Sequence, residues 1–257
     1  MKRALTAVFL STLVAAGTLW AATIPIQERV DLNPDALVEV ELVAGTVSVT
    51  GWDQPSAELT GDLADSPNKL EIKAGKDRLK IKIKPPEGQS ESPDLVLRVP
   101  KGCRLSVETV SAPITVSGLT ARIELNSVSG GLEVEGSPRE VELNTVSGEI
   151  KMEDGASLEN ANLNSVSGSI DANLDFRSGG SFEFNTVSGT ITLALPANVG
   201  ADFEVSTFSG SITSDFGDEP VRKSQYVPAE ELEFTLGSGG ARVKVNSFSG
   251  RIKILKE

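Results

Sequence analysis

The groups in this chain that could do acid–base chemistry are its carboxylates. Glu133, Glu135, Glu149 and Asp171 lie close together in sequence with Lys151 among them. Two carboxyls flanking a glycosidic bond, one protonated and one ionised, are the machinery of glycoside cleavage. That chemistry needs acids at matching outward positions on neighbouring elements. The equivalent positions further along are Thr190, Thr192, Ser211 and Thr213, so no acid cluster builds up and solvated faces are the expected role. Composition excludes most other chemistry. The chain has no histidine, so it cannot run a Ser/His/Asp or Cys/His relay and has no imidazole ligand for zinc, copper or haem. Its one cysteine, Cys103, cannot form an internal disulfide or a multi-thiolate site. Cys103 falls in phase with Leu105 and Val107 and is expected to be a buried small apolar residue. The GSGG string at 237–240 lacks the strand-to-helix setting of a phosphate cradle and reads as a turn. No catalytic residue, metal or cofactor is expected.

Charge narrows the partners. With 24 basic and 36 acidic residues the net charge is -12, which argues against nucleic-acid binding, since that needs Lys and Arg to displace counterions. One basic stretch stands out, LEIKAGKDRLKIKIKPP at 70–86. Leu79, Ile81 and Ile83 should point inward from a hairpin strand and Lys80, Lys82 and Lys84 outward. The three lysines are either protection for a strand edge or a patch for anionic lipid or polysaccharide.

The elements that position these groups are legible as a repeat. NSVSG (126–130), NTVSG (144–148), NSVSG (164–168), NTVSG (185–189), STFSG (206–210) and NSFSG (246–250) recur. Around each, apolar residues sit at five offsets, x, x+2, x+5, x+9 and x+11, as in Ile123, Leu125, Val128, Leu132 and Val134. Copies start at 38, 105, 123, 141, 161, 182, 203 and 243. The pairs x/x+2 and x+9/x+11 alternate inward along two short strands. Between them the corner glycines, Gly45, Gly130, Gly148, Gly168, Gly189, Gly210 and Gly250, turn the chain. A strand pair of this size cannot bury its apolar face alone, whereas stacked copies share a core.

The expected fold is therefore all-β, a single-stranded parallel β-helix or β-solenoid of about eight rungs with a period of 18–21 residues. At about 4.8 Å per rung it would be a rod on the order of 35–40 Å long. Asn126, Asn144, Asn164, Asn185 and Asn246 should align as an amide ladder bracing one corner.

The first residues read as an address. Met1-Lys2-Arg3 precedes an uncharged apolar run, Ala4 to Ala22, ending in small residues, the pattern of a secretory signal peptide over 1–22. Residues 23–257 then form a single solenoid domain. It carries a β-hairpin elaboration at about 50–104 and a polar insert at 215–242. Membrane contact is expected at most through an uncleaved N-terminus. Arg251 and Lys253 look like the charged guard of an open C-terminal end.

VELVAGTVSVTGWD (39–53), DLVLRVPKGCRLSVETVSAPITVSG (94–118), the SVSG and TVSG corners and LGSGGARVKVNSFSGRIKI (236–254) together resemble the putative-adhesin family of bacterial β-strand-repeat proteins. That family is classed as a domain of unknown function. The resemblance spans about residues 35–257 and departs at Ala112-Pro113, where the motif would have Gly. It implies an exported or envelope-associated β-solenoid and brings no catalytic residues with it. The expected function is a non-enzymatic adhesin-like or scaffolding module of the cell envelope, periplasmic or at the surface, whose partner is an envelope protein or a surface polysaccharide. The alternatives are a periplasmic envelope-stress sensor that binds a protein or anionic component and, remotely, a carbohydrate-active enzyme.

Overall fold

The computed structural model describes residues 25–62, 69–84, 93–217, 219–224 and 227–257. The expected signal segment, 1–22, lies outside the described residues, as does nearly all of the loop at 87–93. Among the described residues there are twenty-one β-strands and no helix. Most strands alternate strictly between buried and solvent-facing side chains, as period-2 patterning requires. Two layers of parallel strands face each other, and the x/x+2 and x+9/x+11 side chains fill the space between them. Ile123, Leu125, Leu132 and Val134 are all at most 1% exposed.

Nine rungs stack in parallel, one more than the eight template copies. The extra one, Arg78–Lys84 with Asp94–Pro100, pairs in parallel with Leu37–Leu42 and Thr46–Trp52. Part of the hairpin region is thus a complete first rung, and the rung of residues 37–52 is the second. Arg104–Thr109 with Ile114–Ser117 is third, and Arg122–Ser127 with Leu132–Glu135 is fourth. The fifth, sixth and seventh rungs run through Glu140–Thr145, Ile150–Ser165, Ile170–Thr186 and Thr190–Leu195, two of which bend from one layer into the other.

At this point chain order and stacking order part. Ala241–Ser247 and Arg251–Lys256, the last segments in sequence, form the eighth rung. Ala201–Thr207 and Ser211–Ser214 lie beyond them as the ninth. Arg251 and Lys253 are therefore not at an open end. They sit in an interior rung, paired on one side with Thr190 and Thr192 and on the other with Ser211 and Thr213.

Antiparallel strands cover both layers of the first rung and one layer of the ninth. Lys69–Ala74 covers the first rung in one layer, and Ser56–Asp62 followed by Pro25–Asp31 covers it in the other. At the far end the polar insert contributes Val227–Leu236, antiparallel to Ala201–Thr207, with Val221–Ser224 outside it. Phe234 of this strand stacks on Phe203 at 4.6 Å between ring centroids, and Phe176 and Phe182 meet at 4.4 Å. Aromatic rings thus fill the core near the end where the parallel pattern stops.

Candidate functional site

The six NSVSG-type strings all fall on one corner of the rod, and four of their five positions have a structural task. The asparagine amides form a chain of hydrogen bonds along the stack. Asn144 donates to Asn126 at 2.9 Å, Asn164 to Asn144 at 2.8 Å, Asn185 to Asn164 at 2.9 Å and Asn246 to Asn185 at 3.0 Å. The Ser206 hydroxyl ends the series by donating to Asn246 at 2.9 Å. The following Ser or Thr is buried at every rung from Thr109 onward. In three rungs its hydroxyl accepts the corner glycine N–H, Gly130 on Ser127, Gly148 on Thr145 and Gly168 on Ser165, at 2.8–3.0 Å. At the Ala112 corner, which has no glycine, the Thr109 hydroxyl instead donates to the Ala112 carbonyl at 2.9 Å. The second serine of each string ties rung to rung, with Ser129 N–H on the Val110 carbonyl at 2.8 Å and Ser147 N–H on that of Val128 at 3.0 Å.

The glycines are required for space. None of the six motif glycines has a positive φ; among the corner set only Gly45 does, at 117°. A Cβ on Gly148, Gly168 or Gly189 would lie 1.8–2.3 Å from the carbonyl oxygen of the glycine one rung below. The glycines stack directly on one another, in the order 130, 148, 168, 189, 250, 210.

The fifth position, x+5, has no packing task. Although apolar in every copy, Val43, Val110, Val128, Val146, Val166, Val187, Phe248 and Phe208 are 43–57% exposed. These residues form an unbroken outward ridge over rungs two to nine, about 34 Å long at 4.8 Å per rung. The two rings at its end stack at 5.1 Å with planes 10° apart.

Between ridge and amide chain runs a groove, in stretches lined by Glu108, Asn126, Val128 and Val146 (about 390 Å³) and by Asn185, Asn246, Phe208 and Phe248 (about 600 Å³). Sequence reasoning found the asparagines and glycines but missed the ridge. Its signal was that x+5 stands an odd number of positions from x and x+2, out of phase with the inward side of the strand.

The other expected groups behave differently. Lys80 and Lys82 both pair with Glu41, and Lys84 pairs with Glu71 at 3.3 Å. The two ammoniums, Lys80 first, hold the Glu41 carboxyl down to about 2. The three lysines therefore share their charge with acids of neighbouring strands. Glu133, Lys151 and Asp171 fall in one row of the second layer. The lysine stands between the two acids, 2.5 Å from Glu153 and 4.0 Å from Glu133. Cys103 is fully buried, and burial pushes its thiol up to about 11.

This architecture is that of a β-solenoid, and the family expected from the motifs is borne out. The chain belongs to the Toastrack DUF4097 family, whose model matches residues 68–255. Solved structures with a similar course include a putative adhesin from Bacteroides fragilis, 10% identical, TM-score 0.46, covering 93% of this chain and 100% of that one. Another is a putative lipid binding protein from Parabacteroides distasonis, 16% identical, TM-score 0.49, covering 89% and 96%. A putative adhesin from the same organism is 12% identical, TM-score 0.39, covering 90% and 97%. Among curated proteins nothing matches this chain.

Proposed function

We propose that this protein is an exported, non-enzymatic β-solenoid that acts as an adhesin-like or scaffolding interaction module in the bacterial cell envelope. The observation that carries the reading is the ridge from Val43 to Phe208. It leaves eight apolar side chains in water on successive rungs of a rigid rod, and an extended apolar surface rimmed by polar groups is the mark of an interaction site. The basic n-region and apolar run of residues 1–22 support export. The lysine separating Glu133 from Asp171 disfavours a paired-acid active site. The ion pairs of Lys80, Lys82 and Lys84 with Glu41 and Glu71 offset part of the charge of the basic stretch and weigh against the sensor alternative.

The test is protease treatment of intact cells carrying a C-terminally tagged chain, repeated after the outer envelope is opened. Loss of the tag from intact cells supports surface adhesion. Protection until opening supports a periplasmic scaffold and discards adhesion. A tag that fractionates with the cytoplasm overturns the reading.

A further inference from the structure

We propose that the corner groove of rungs four to nine binds an uncharged linear polysaccharide lying along the stack axis. This rests on the reading of the protein as an interaction module and names its ligand.

The first argument is charge. The six strings at 126–130, 144–148, 164–168, 185–189, 206–210 and 246–250 form one strip without a charged residue, in a chain where 23% of residues are charged, and the charged groups that line the two stretches of groove are the acids Glu108 and Glu231. A phosphate, a nucleic acid or an acidic polymer finds no counter-charge there, and the protein's net -12 repels polyanions.

The second argument is the kind of wall. One side offers amides and hydroxyls, Asn126 to Asn246 and Ser206, and the other offers Val and Phe. A sugar ring has the same two aspects, an apolar C–H face and a rim of hydroxyls. An acyl chain would use only the ridge and leave the amides facing hydrocarbon, which is unfavourable. A peptide adding as a strand needs unpaired backbone, whereas the corner N–H groups of Ser129, Ser147, Ser167, Ser188, Ser249 and Ser209 are all bonded to the neighbouring rung.

The third argument is repetition. The same amide, hydroxyl and apolar group recur at about 4.8 Å, so a polymer of like units can make the same weak contact many times and sum it. Phe248 and Phe208 are the exposed aromatic anchor of the row.

The test is electrophoresis of the full chain through native gels containing dextran, xylan, glucomannan or β-1,3-glucan, with thermal unfolding as the folding control. At least one of these polymers should retard the protein, equally at low and high salt. Phe248→Ser should weaken that retardation about tenfold or more, Val146→Asp should do likewise, and Lys151→Ala on the other layer should leave it unchanged. No retardation by any polymer, salt-sensitive retardation, or retardation indifferent to Phe248→Ser and Val146→Asp overturns the proposal. So does co-sedimentation with phosphatidylcholine vesicles in place of glycan binding, or a dimer that Phe248→Ser dissolves in a protein that binds no glycan. If envelope association survives Phe248→Ser, this site is wrong and the interaction-module reading stands. If the wild-type chain never reaches the envelope, that reading itself fails.

Discussion

Asn246 donates its side-chain N–H to Asn185 at 3.0 Å although 61 positions separate them in sequence. That bond makes Asn246 the fifth and final amide of the series, bonded on both sides because the Ser206 hydroxyl donates to it from the ninth rung. Every donor in the series points toward the lower rung, so the bonds polarise one another in a single direction.

Replacing Asn144 by Leu removes the donor to Asn126 and the acceptor of Asn164 together. A half-buried amide network that loses one member should cost about 1–3 kcal/mol. Urea unfolding should show a lower midpoint with an unchanged slope, and an unchanged midpoint would remove the amide series from the account of stability.

The two kinds of glycine can be told apart by substitution with alanine. Gly168 has no positive φ, but an added Cβ would lie 1.8 Å from the Gly148 carbonyl oxygen. Gly179 has φ 82° with nothing within 4 Å. Gly179→Ala should cost about 1–2 kcal/mol of backbone strain. Gly168→Ala should cost more, because the backbone of two rungs must separate. A smaller loss for Gly168→Ala, measured by thermal unfolding, would contradict the stacked-glycine corner.

Truncation after residue 240 removes an interior rung and leaves Ser181–Thr186 and Ala201–Thr207 without their shared partner. Open edges of this length pair between molecules, so the truncated chain should elute as aggregate in size-exclusion chromatography. Recovery of a cooperatively unfolding monomer would mean that the inserted rung is dispensable.

Acid stability should carry the mark of Glu41. Its folded pKa is lowered from 4.5 to about 2, chiefly by hydrogen bonding to Lys80 and then Lys82. A lowered carboxyl pKa stabilises the fold above the unfolded value, and that contribution is lost as pH falls from about 4.5 toward 2. The group is partly in solvent, so the effect should stay below about 1 kcal/mol. Glu41→Gln should therefore lower the denaturation midpoint at pH 6 and leave it equal to wild type near pH 2. A deficit independent of pH would show that packing, not charge, accounts for the change.

The inward positions were legible because a residue repeated at x, x+2, x+9 and x+11 in eight copies can be buried in only one way by paired strands. Three features were not legible, each for a physical reason. Val146 and its equivalents are apolar, and apolar character marks what a residue tolerates without saying whether water reaches it. The first rung escaped because Leu79, Ile81, Leu95 and Leu97 are inward in phase, but the connection between the two strands is too long to match the nine-residue offset. The eighth rung has the same template as its neighbours, so nothing local tells residues 243–254 which gap to enter; that choice is made by non-local pairing with Ser181–Thr186 and Ala201–Thr207.

The displaced eighth rung also sets an order of assembly. Stacking from the N-terminus can proceed through Thr190–Leu195, but the segment that docks next, 241–256, follows residues 201–214 in the chain. The ninth rung therefore has no parallel partner until the eighth has been made. A chain that contains residues 201–214 but stops before residue 241 carries two unmatched sheet edges, which would make such copies recognisable to the cell's quality control.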